Sequence, residues 1–424
     1  MTKTVIIIAP FWHESGHVGN YRIERFIRWF TGSGIHVVLV SAGSADREAQ
    51  QPWGLELTIR DPVGLYRDTE PSGESPKPRK PNKLRRALAL WLFNPDIGVV
   101  WANRVAKHAK VLQHAAGAEF VLSSSRPESA HVASWRLAKQ LNCKLVIDMR
   151  DGWLDEPLEP LLMTSSIRRF VEGRLEKKIL AAAEQIFVTS EVWRELLVAR
   201  GVAKAERVAV ITNAYPDFDF STVAAESSKH KNRHPIELLH TGRFRASRSS
   251  QDPALLLEPL RIGLAGRDLK GSINLLGQLD AEEQVEIENY GPKMAAVGWG
   301  LVCHTPVSRS EAMTRVGQAD GLLLLCAAYA AIPSKVFEYI PAKRPLLIVA
   351  KPGSAIWRVG MNIKQATLLD YSQPDTWREA IELFLNMLNS NQYESSCPEI
   401  YSDAYLGKLA MASLGLALTK VATH

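Results

Sequence analysis

The sequence predicts an α/β protein made of two Rossmann-like, doubly wound domains. Three observations predict it. Strand-like and helix-like segments alternate through residues 1–216, the pattern stops over the polar stretch 217–235, and it restarts at 236. The length of 424 residues exceeds one compact core and suits two or three domains. Buried-type strands alternating with helices indicate βαβ units and a parallel sheet covered on both faces.

In the first half, "TVIIIAP" (4–10) reads as a buried strand, followed by a helix over 20–32 that ends at a glycine, Gly32 or Gly34. "HVVLVSA" (36–42) is the second strand. Then come "FVLSSS" (120–125), a helix over about 128–141, "KLVIDMR" (144–150), a long helix ending near Ala183, "QIFVTS" (185–190), a further helix and "RVAVITNAY" (207–215). The second half repeats the scheme with strands at 236–242, 272–277, 300–306, 321–327 and 345–350. Helices are expected over about 252–265, 281–289 and 308–317, with a short one opening at 333. A final helix over about 403–421 carries Leu406, Leu409, Ala410, Leu414, Ala417 and Val421 as its expected buried stripe. The expected domains are 1–216, a linker at 217–235, 236–400, and a C-terminal segment 401–424.

Composition is that of an ordinary globular chain, 46% hydrophobic and 23% charged. Four cysteines (Cys143, Cys303, Cys326, Cys397) show no C-x-x-C pair, which argues against a zinc site or a disulfide framework and fits a reducing cytoplasm. No secretory signal is read at 5–9, and the apolar run 321–332 is well short of the ~20 residues of a membrane span. Residues 1–217 hold 30 Lys/Arg against 24 Asp/Glu, so this half carries the whole net charge of +6. Within it, 77–110 has nine basic residues and one acid around "ALALWLF". That pattern suits an anionic membrane surface or, equally, a surface helix with a solvated basic face. It matches no nucleic-acid module, and no nucleic-acid partner is expected.

Open parallel sheets bind ligands beyond the C-terminal ends of their strands. The residues placed there are Gly16, Gly19 and Arg22 after the first strand, His131 at a helix start, and Asp148, Arg150, Asp151 and Trp153 after "LVID". Trp12 and Trp153 each suit sugar stacking or core filling, the latter being the commoner fate of tryptophan. In the second half, "IPSKVFEYIPAKRPLL" places Ser334, Lys335 and Glu338 at a helix start that follows a buried strand. Amides and a cation there suit a diphosphate, and a carboxylate one turn on suits ribose hydroxyls. A plain Lys335–Glu338 surface ion pair, worth only ~0.3 kcal/mol, is the competing reading.

Several segments together resemble the retaining glycosyltransferases of family 4, which have the GT-B fold. "IPSKVFEYIPAKRPLL" resembles their donor-site loop, and "LLHTGRF" the strand that opens their donor domain. "HTPVSRSEAMTRVGQADGLLLL" resembles the strand, helix and "aD" pair before that loop. "NPDIGVVWANRVAKHA", "SSSRPESAHVASWRLAKQ", "LVIDMRDGW" and "RLEKKILAAAEQIFVTSEVWRELL" resemble stretches of the acceptor domain. The resemblance implies two domains facing a central cleft, with the C-terminal helix crossing back to the first domain. It assigns Glu338 to the donor ribose, Lys335 and Ser334 to the diphosphate, and Arg243 after Gly242 to the leaving phosphate. Its partner cation falls to Arg245 or, by preference, Arg248. Asp151 and His131 are expected near the chemistry, and Arg22, Asp151 and Trp153 near the acceptor. The first glutamate of the family's E-x(7)-E motif is replaced by Ala330.

The function implied is metal-independent transfer of a sugar, with retention, from a nucleoside-diphosphate sugar to a hydroxyl of a glycan or lipid-linked glycan in bacterial surface-polysaccharide synthesis. The donor is a substrate and no cofactor is expected. The expected location is the cytoplasm, with peripheral contact to the inner membrane face through 77–110. Two alternatives stay open: a catalytically silent nucleotide-binding or scaffolding subunit, kept alive by Ala330, and a nucleotide-sugar 2-epimerase.

Overall fold

The computed structural model describes residues 3–14, 18–65, 93–155, 165–215, 218, 220, 235–244, 251–390 and 393–416. They form two compact units, residues 1–212 with 403–424, and residues 213–402. Most of the expected linker 217–235, and all of 77–92, lie outside the described residues.

Unit 1 is an eight-stranded sheet. Its strands are β1 (Thr4–Ile8), β2 (His36–Gly43), β3 (Arg47–Gln51), β4 (Gly54–Arg60), β5 (Phe120–Ser124), β6 (Lys144–Met149), β7 (Gln185–Val188) and β8 (Val208–Val210). They lie in the order β3-β4-β2-β1-β5-β6-β7-β8. All neighbours are parallel except β3, which pairs antiparallel with β4. The helices are α1 (Val18–Gly32), α2 (Val99–Val105), α3 (Ala109–His114), α4 (Ser129–Leu141), α5 (Ser166–Ala182) and α6 (Glu191–Ala199). The central strands are buried on both faces, so Val5 to Ile8 have no exposure, and they read as unbroken apolar runs.

Helix ends follow local chemistry. Ser165 and Ser190 accept backbone N–H bonds at the starts of α5 and α6. The turn after α4 passes through Asn142 at φ 51°. The sequence reading had no strand over 47–60. β3 is exposed and polar and gives no hydrophobic signal, whereas β4 is buried, with Leu55, Leu57 and Ile59 in alternation. A Cβ on Gly54 would lie 2.2 Å from the carbonyl oxygen of Val37, so the register of β4 on β2 requires glycine.

Unit 2 is a six-stranded, wholly parallel sheet in the order β11-β10-β9-β12-β13-β14. Its strands are β9 (Ile236–Thr241), β10 (Gly271–Leu276), β11 (Trp299–His304), β12 (Gly321–Cys326), β13 (Leu346–Ala350) and β14 (Ala366–Asp370). The helices are α7 (Ala254–Leu264), α8 (Ala281–Ala295), α9 (Arg309–Gln318), α10 (Lys335–Tyr339), α11 (Ala355–Gly360) and α12 (Trp377–Ser390). Side chains alternate across the sheet. Leu322, Leu324, Leu346 and Ile348 enter one core, while Leu323, Leu325, Leu347 and Val349 enter the other. Asp280 and Glu283 form a capping box on α8, each accepting an N–H at 2.8 Å.

The last helix, α13 (Asp403–Ser413), belongs to unit 1. Asp403 accepts from Arg25 Nε at 2.7 Å and from Trp29 Nε1 at 3.2 Å, both on α1. A Cβ on Gly407 would meet the Trp29 indole at 2.8 Å, so glycine lets the helices approach. Leu406 and Ala410 are buried as expected, but Leu409 is exposed. The helix ends at Ser413 rather than 421, and Gly415 follows at φ +67°. Ala417 and Val421 lie outside the described residues.

Candidate functional site

Two of the residues expected on the donor side, Gly242 and Lys335, meet at the C-terminal end of β9. That strand stops at Thr241 and turns through Gly242, whose φ is +79°. α10 packs against this end and holds it with two side chains one turn apart. Lys335 Nζ donates to the carbonyl oxygen of Thr241 and lies 3.2 Å from His240 Nε2. Tyr339 Oη accepts the Thr241 N–H at 2.8 Å and pairs with Thr241 Oγ1 at 2.9 Å. His240 is wholly buried, stacks on Phe244 at 4.3 Å, and donates Nδ1–H to Leu323 O at 3.0 Å. Its Nε2 is therefore the acceptor for the lysine. Burial lowers the Lys335 pKa to about 8.

Lys335 and Glu338 do not form the simple surface pair weighed from the sequence. Lys335 is engaged with the strand end, and Glu338 Oε1 meets Arg309 Nη2 at 3.3 Å. Burial raises the Glu338 pKa, against the lowering effect of Arg309. The lysine ammonium sits beside Gly242, 3.4 Å from where a Cβ would be. Arg243 is exposed and donates to Gln278 Oε1. Ser334 precedes α10 without capping it through its side chain. Ala330 is wholly buried. Arg245 and Arg248 lie outside the described residues. Sequence reasoning missed His240 and Tyr339, although Tyr339 sits four residues beyond Lys335 and so on the same helical face. A cavity of about 390 Å³ in unit 2 lies elsewhere, lined by Pro352, Trp357, Asp370 and Leu383 among others. It contains none of the expected donor residues.

In unit 1, Asp148 ends β6 and binds three groups. Arg22 reaches it with Nε at 2.8 Å and Nη2 at 2.6 Å, and Ser124 Oγ donates at 2.6 Å. Arg22 also donates to Thr212 O at 3.1 Å. Arg22 is 3% exposed and Asp148 wholly buried, so Arg22 is committed to the scaffold rather than presented to an acceptor. Trp153 takes the core-filling alternative weighed for it: it is 1% exposed, and its indole N–H donates to Glu172 at 2.8 Å. His131 is wholly buried, with Nδ1 2.8 Å from Ser123 Oγ and no hydrogen-bond partner at Nε2. Desolvation lowers its pKa to about 4, so the ring is neutral.

Gly19, Asn20, Ser124, Arg126 and Arg150 line one small hollow with the end of β1. Gly16 lies outside the described residues. Arg150 donates to Ser125 O, and burial lowers its pKa. Asp151 is half-buried in the turn after β6. Two side chains here were missed. Asn20 Nδ2 donates to Phe11 O, Trp12 O and Glu14 O at 3.0 to 3.2 Å, shaping the loop after β1. His13 Nε2 lies 3.0 Å from Glu56 and 3.1 Å from Ser41 and Thr58. Trp12 packs edge-on against Trp53 at 6.1 Å. Of the basic run 77–110, Arg104 and Lys110 pair with Asp46 and Glu48. Among the described residues no group of His, Cys, Asp or Glu is arranged to hold a metal, and no helix is long and apolar enough to cross a membrane.

Residues 19–214 match the family model described as glycosyl transferase 4-like domain. No curated protein matches the chain. Solved structures do so over nearly its whole length. A glycosyltransferase from Rickettsia africae superposes with a TM-score of 0.56 at 11% identity, covering 98% of this chain and 95% of that one. The UDP-forming α,α-trehalose-phosphate synthase of Burkholderia vietnamiensis gives 0.57 at 11% identity, covering 98% and 96%. Anabaena Alr3699/HepE in complex with UDP and glucose gives 0.53 at 13% identity, covering 99% and 97%.

Proposed function

We propose, from the match of residues 19–214 to the glycosyl transferase 4-like model and from the GT-B fold, that the chain is a glycosyltransferase that uses a nucleoside-diphosphate sugar. The observation that carries the reading is the Lys335 ammonium fixed beside Gly242, with Glu338 one turn on. The cation suits a diphosphate and the half-buried carboxylate suits ribose hydroxyls. Arg243 and Arg248 stabilise the negative charge of the departing nucleoside diphosphate, a task that needs fixed cations and no metal. Ser334 adds a contact to the diphosphate.

The sugar passes with retention to a hydroxyl of a glycan or lipid-linked glycan of a bacterial surface polysaccharide. The C1–O bond to the diphosphate breaks as the acceptor oxygen bonds to C1 on the same face, and the acceptor proton goes to the leaving phosphate. Asp151, next in the chain to Arg150, is the acceptor-side candidate. The Anabaena relative, solved with UDP and glucose, favours a uridine donor. Calorimetry with UDP, GDP, ADP and their sugars, on wild type and Glu338→Ala, tests the reading. One nucleotide should bind wild type at least tenfold more tightly than the variant, with slow sugar release or transfer. Absence of nucleotide binding overturns it.

A second reading, a silent nucleotide-binding subunit, is favoured by the buried alanine at 330. Binding without hydrolysis or transfer across an acceptor panel would select it.

A further inference from the structure

Helix α5 buries both of its acids, together with Arg168, and exposes its other bases. Glu172 and Glu176 are buried, paired with Arg168 and with Arg200 respectively. The charged side chains it exposes are Arg169, Arg174, Lys177 and Lys178, all cationic. The same helix exposes Ile167 and Phe170 at 65% each and Val171 at 43%. Positions 167, 170, 171 and 174 follow helical i, i+3, i+4, i+7 spacing, so the three apolar side chains and Arg174 share one strip. The Arg174 guanidinium lies 5.6 Å from the Phe170 ring centre.

Water satisfies the cations of this strip but not its apolar part, and a neutral protein groove would do the reverse. An anionic bilayer satisfies both, through lipid phosphates at the surface and the acyl boundary just beneath. We propose that this face of α5 docks on an anionic lipid bilayer, with Ile167 and Phe170 entering the headgroup–acyl boundary and Arg174 and Lys177 meeting lipid phosphates; Arg169 lies on the other side of the helix, toward Glu176. Lys178 is engaged within the fold, 4.9 Å from the Trp135 ring, and is left out.

The test is co-sedimentation of the full chain with phosphatidylcholine vesicles, with and without about 30 mol % phosphatidylglycerol. No nucleotide is present, so the result is separate from the donor-site reading. Wild type should bind the anionic vesicles and release in high salt. Ile167→Ser with Phe170→Ser should weaken binding about tenfold or more, as should Arg174→Gln with Lys177→Gln. Met361→Ser, exposed on unit 2, should change nothing. Matching circular dichroism and melting curves establish that each variant is folded. The proposal is overturned if wild type ignores anionic vesicles, or if binding persists in both α5 variants. Light scattering that shows a dimer broken by Phe170→Ser, without vesicle binding, also overturns it and makes the face a contact between copies.

Discussion

Lys335 Nζ donates to the carbonyl oxygen of Thr241, so one lysine both closes the end of β9 and presents a cation beside Gly242. Its pKa is lowered by burial from 10.5 to about 8. Between those values the folded chain binds fewer protons at this group than the unfolded chain. Its contribution to stability therefore rises with pH across that window. Donor affinity should move the other way, because the cation is lost as pH rises through about 8. Calorimetry of the preferred nucleotide from pH 7 to pH 9.5 should show weakening in wild type and a flatter profile in Lys335→Gln. Equal slopes in the two proteins would remove Lys335 from the diphosphate site.

Glu338 touches Arg309 at the rim of α10 and is half-buried, so its removal leaves the core intact. Glu338→Gln should shift the melting temperature little and weaken nucleotide binding by roughly 1.5–3 kcal/mol, the scale of a hydrogen bond to a charged group. A free phosphate or a ribose-lacking diphosphate should bind both proteins alike. Loss of binding for these as well would place Glu338 near the diphosphate instead of the ribose.

The two sheets were legible because central parallel strands are nearly unbroken apolar runs, as at Leu322 to Leu325 and Leu346 to Ala350. The β3–β4 hairpin was not, because Arg47, Glu48 and Gln50 face solvent and only Gly54 marks the close approach to Val37. The Lys335 and Glu338 pattern could be read in advance, since their spacing places them one helical turn apart, whereas Gly242, expected as the end of a strand, is instead a turn at φ +79°. The partners of Lys335 could not be read in advance. Its bonds to Thr241 and His240 span 94 and 95 positions in the chain. Likewise Arg22 and Trp153 carry the residue types of a sugar site, and only the fold shows that Asp148 and Glu172 use them.

His131 is buried and neutral, with a pKa lowered by desolvation to about 4. The unfolded chain protonates this ring at about pH 6.5 and the folded chain does not. Its contribution to stability is thus present above pH 6.5 and is lost as pH falls toward 4. At pH 5 that loss amounts to about 2 kcal/mol. Denaturant melts at pH 7 and pH 5 should show a smaller acid loss in His131→Asn than in wild type. The comparison is needed because Glu128, raised to about 7, contributes with the opposite sign. Identical acid losses would mean that the ring is already charged in the folded state.

The Arg22–Asp148 pair lies where an acceptor contact was expected, yet both side chains are sealed from solvent. Removing one partner strands the other. Arg22→Met leaves the Asp148 carboxylate with only Ser124 and should cost about 3–5 kcal/mol of stability. That should lower the melting temperature of this unit by roughly 10 °C. Arg22→Met combined with Asp148→Leu removes both charges and should recover part of the loss, because no buried ion is left uncompensated. An acceptor-contact role predicts a different result: Arg22→Met would keep the wild-type melting temperature and raise only the acceptor KM. Melting curves on the two variants decide between a scaffold pair and a binding arginine.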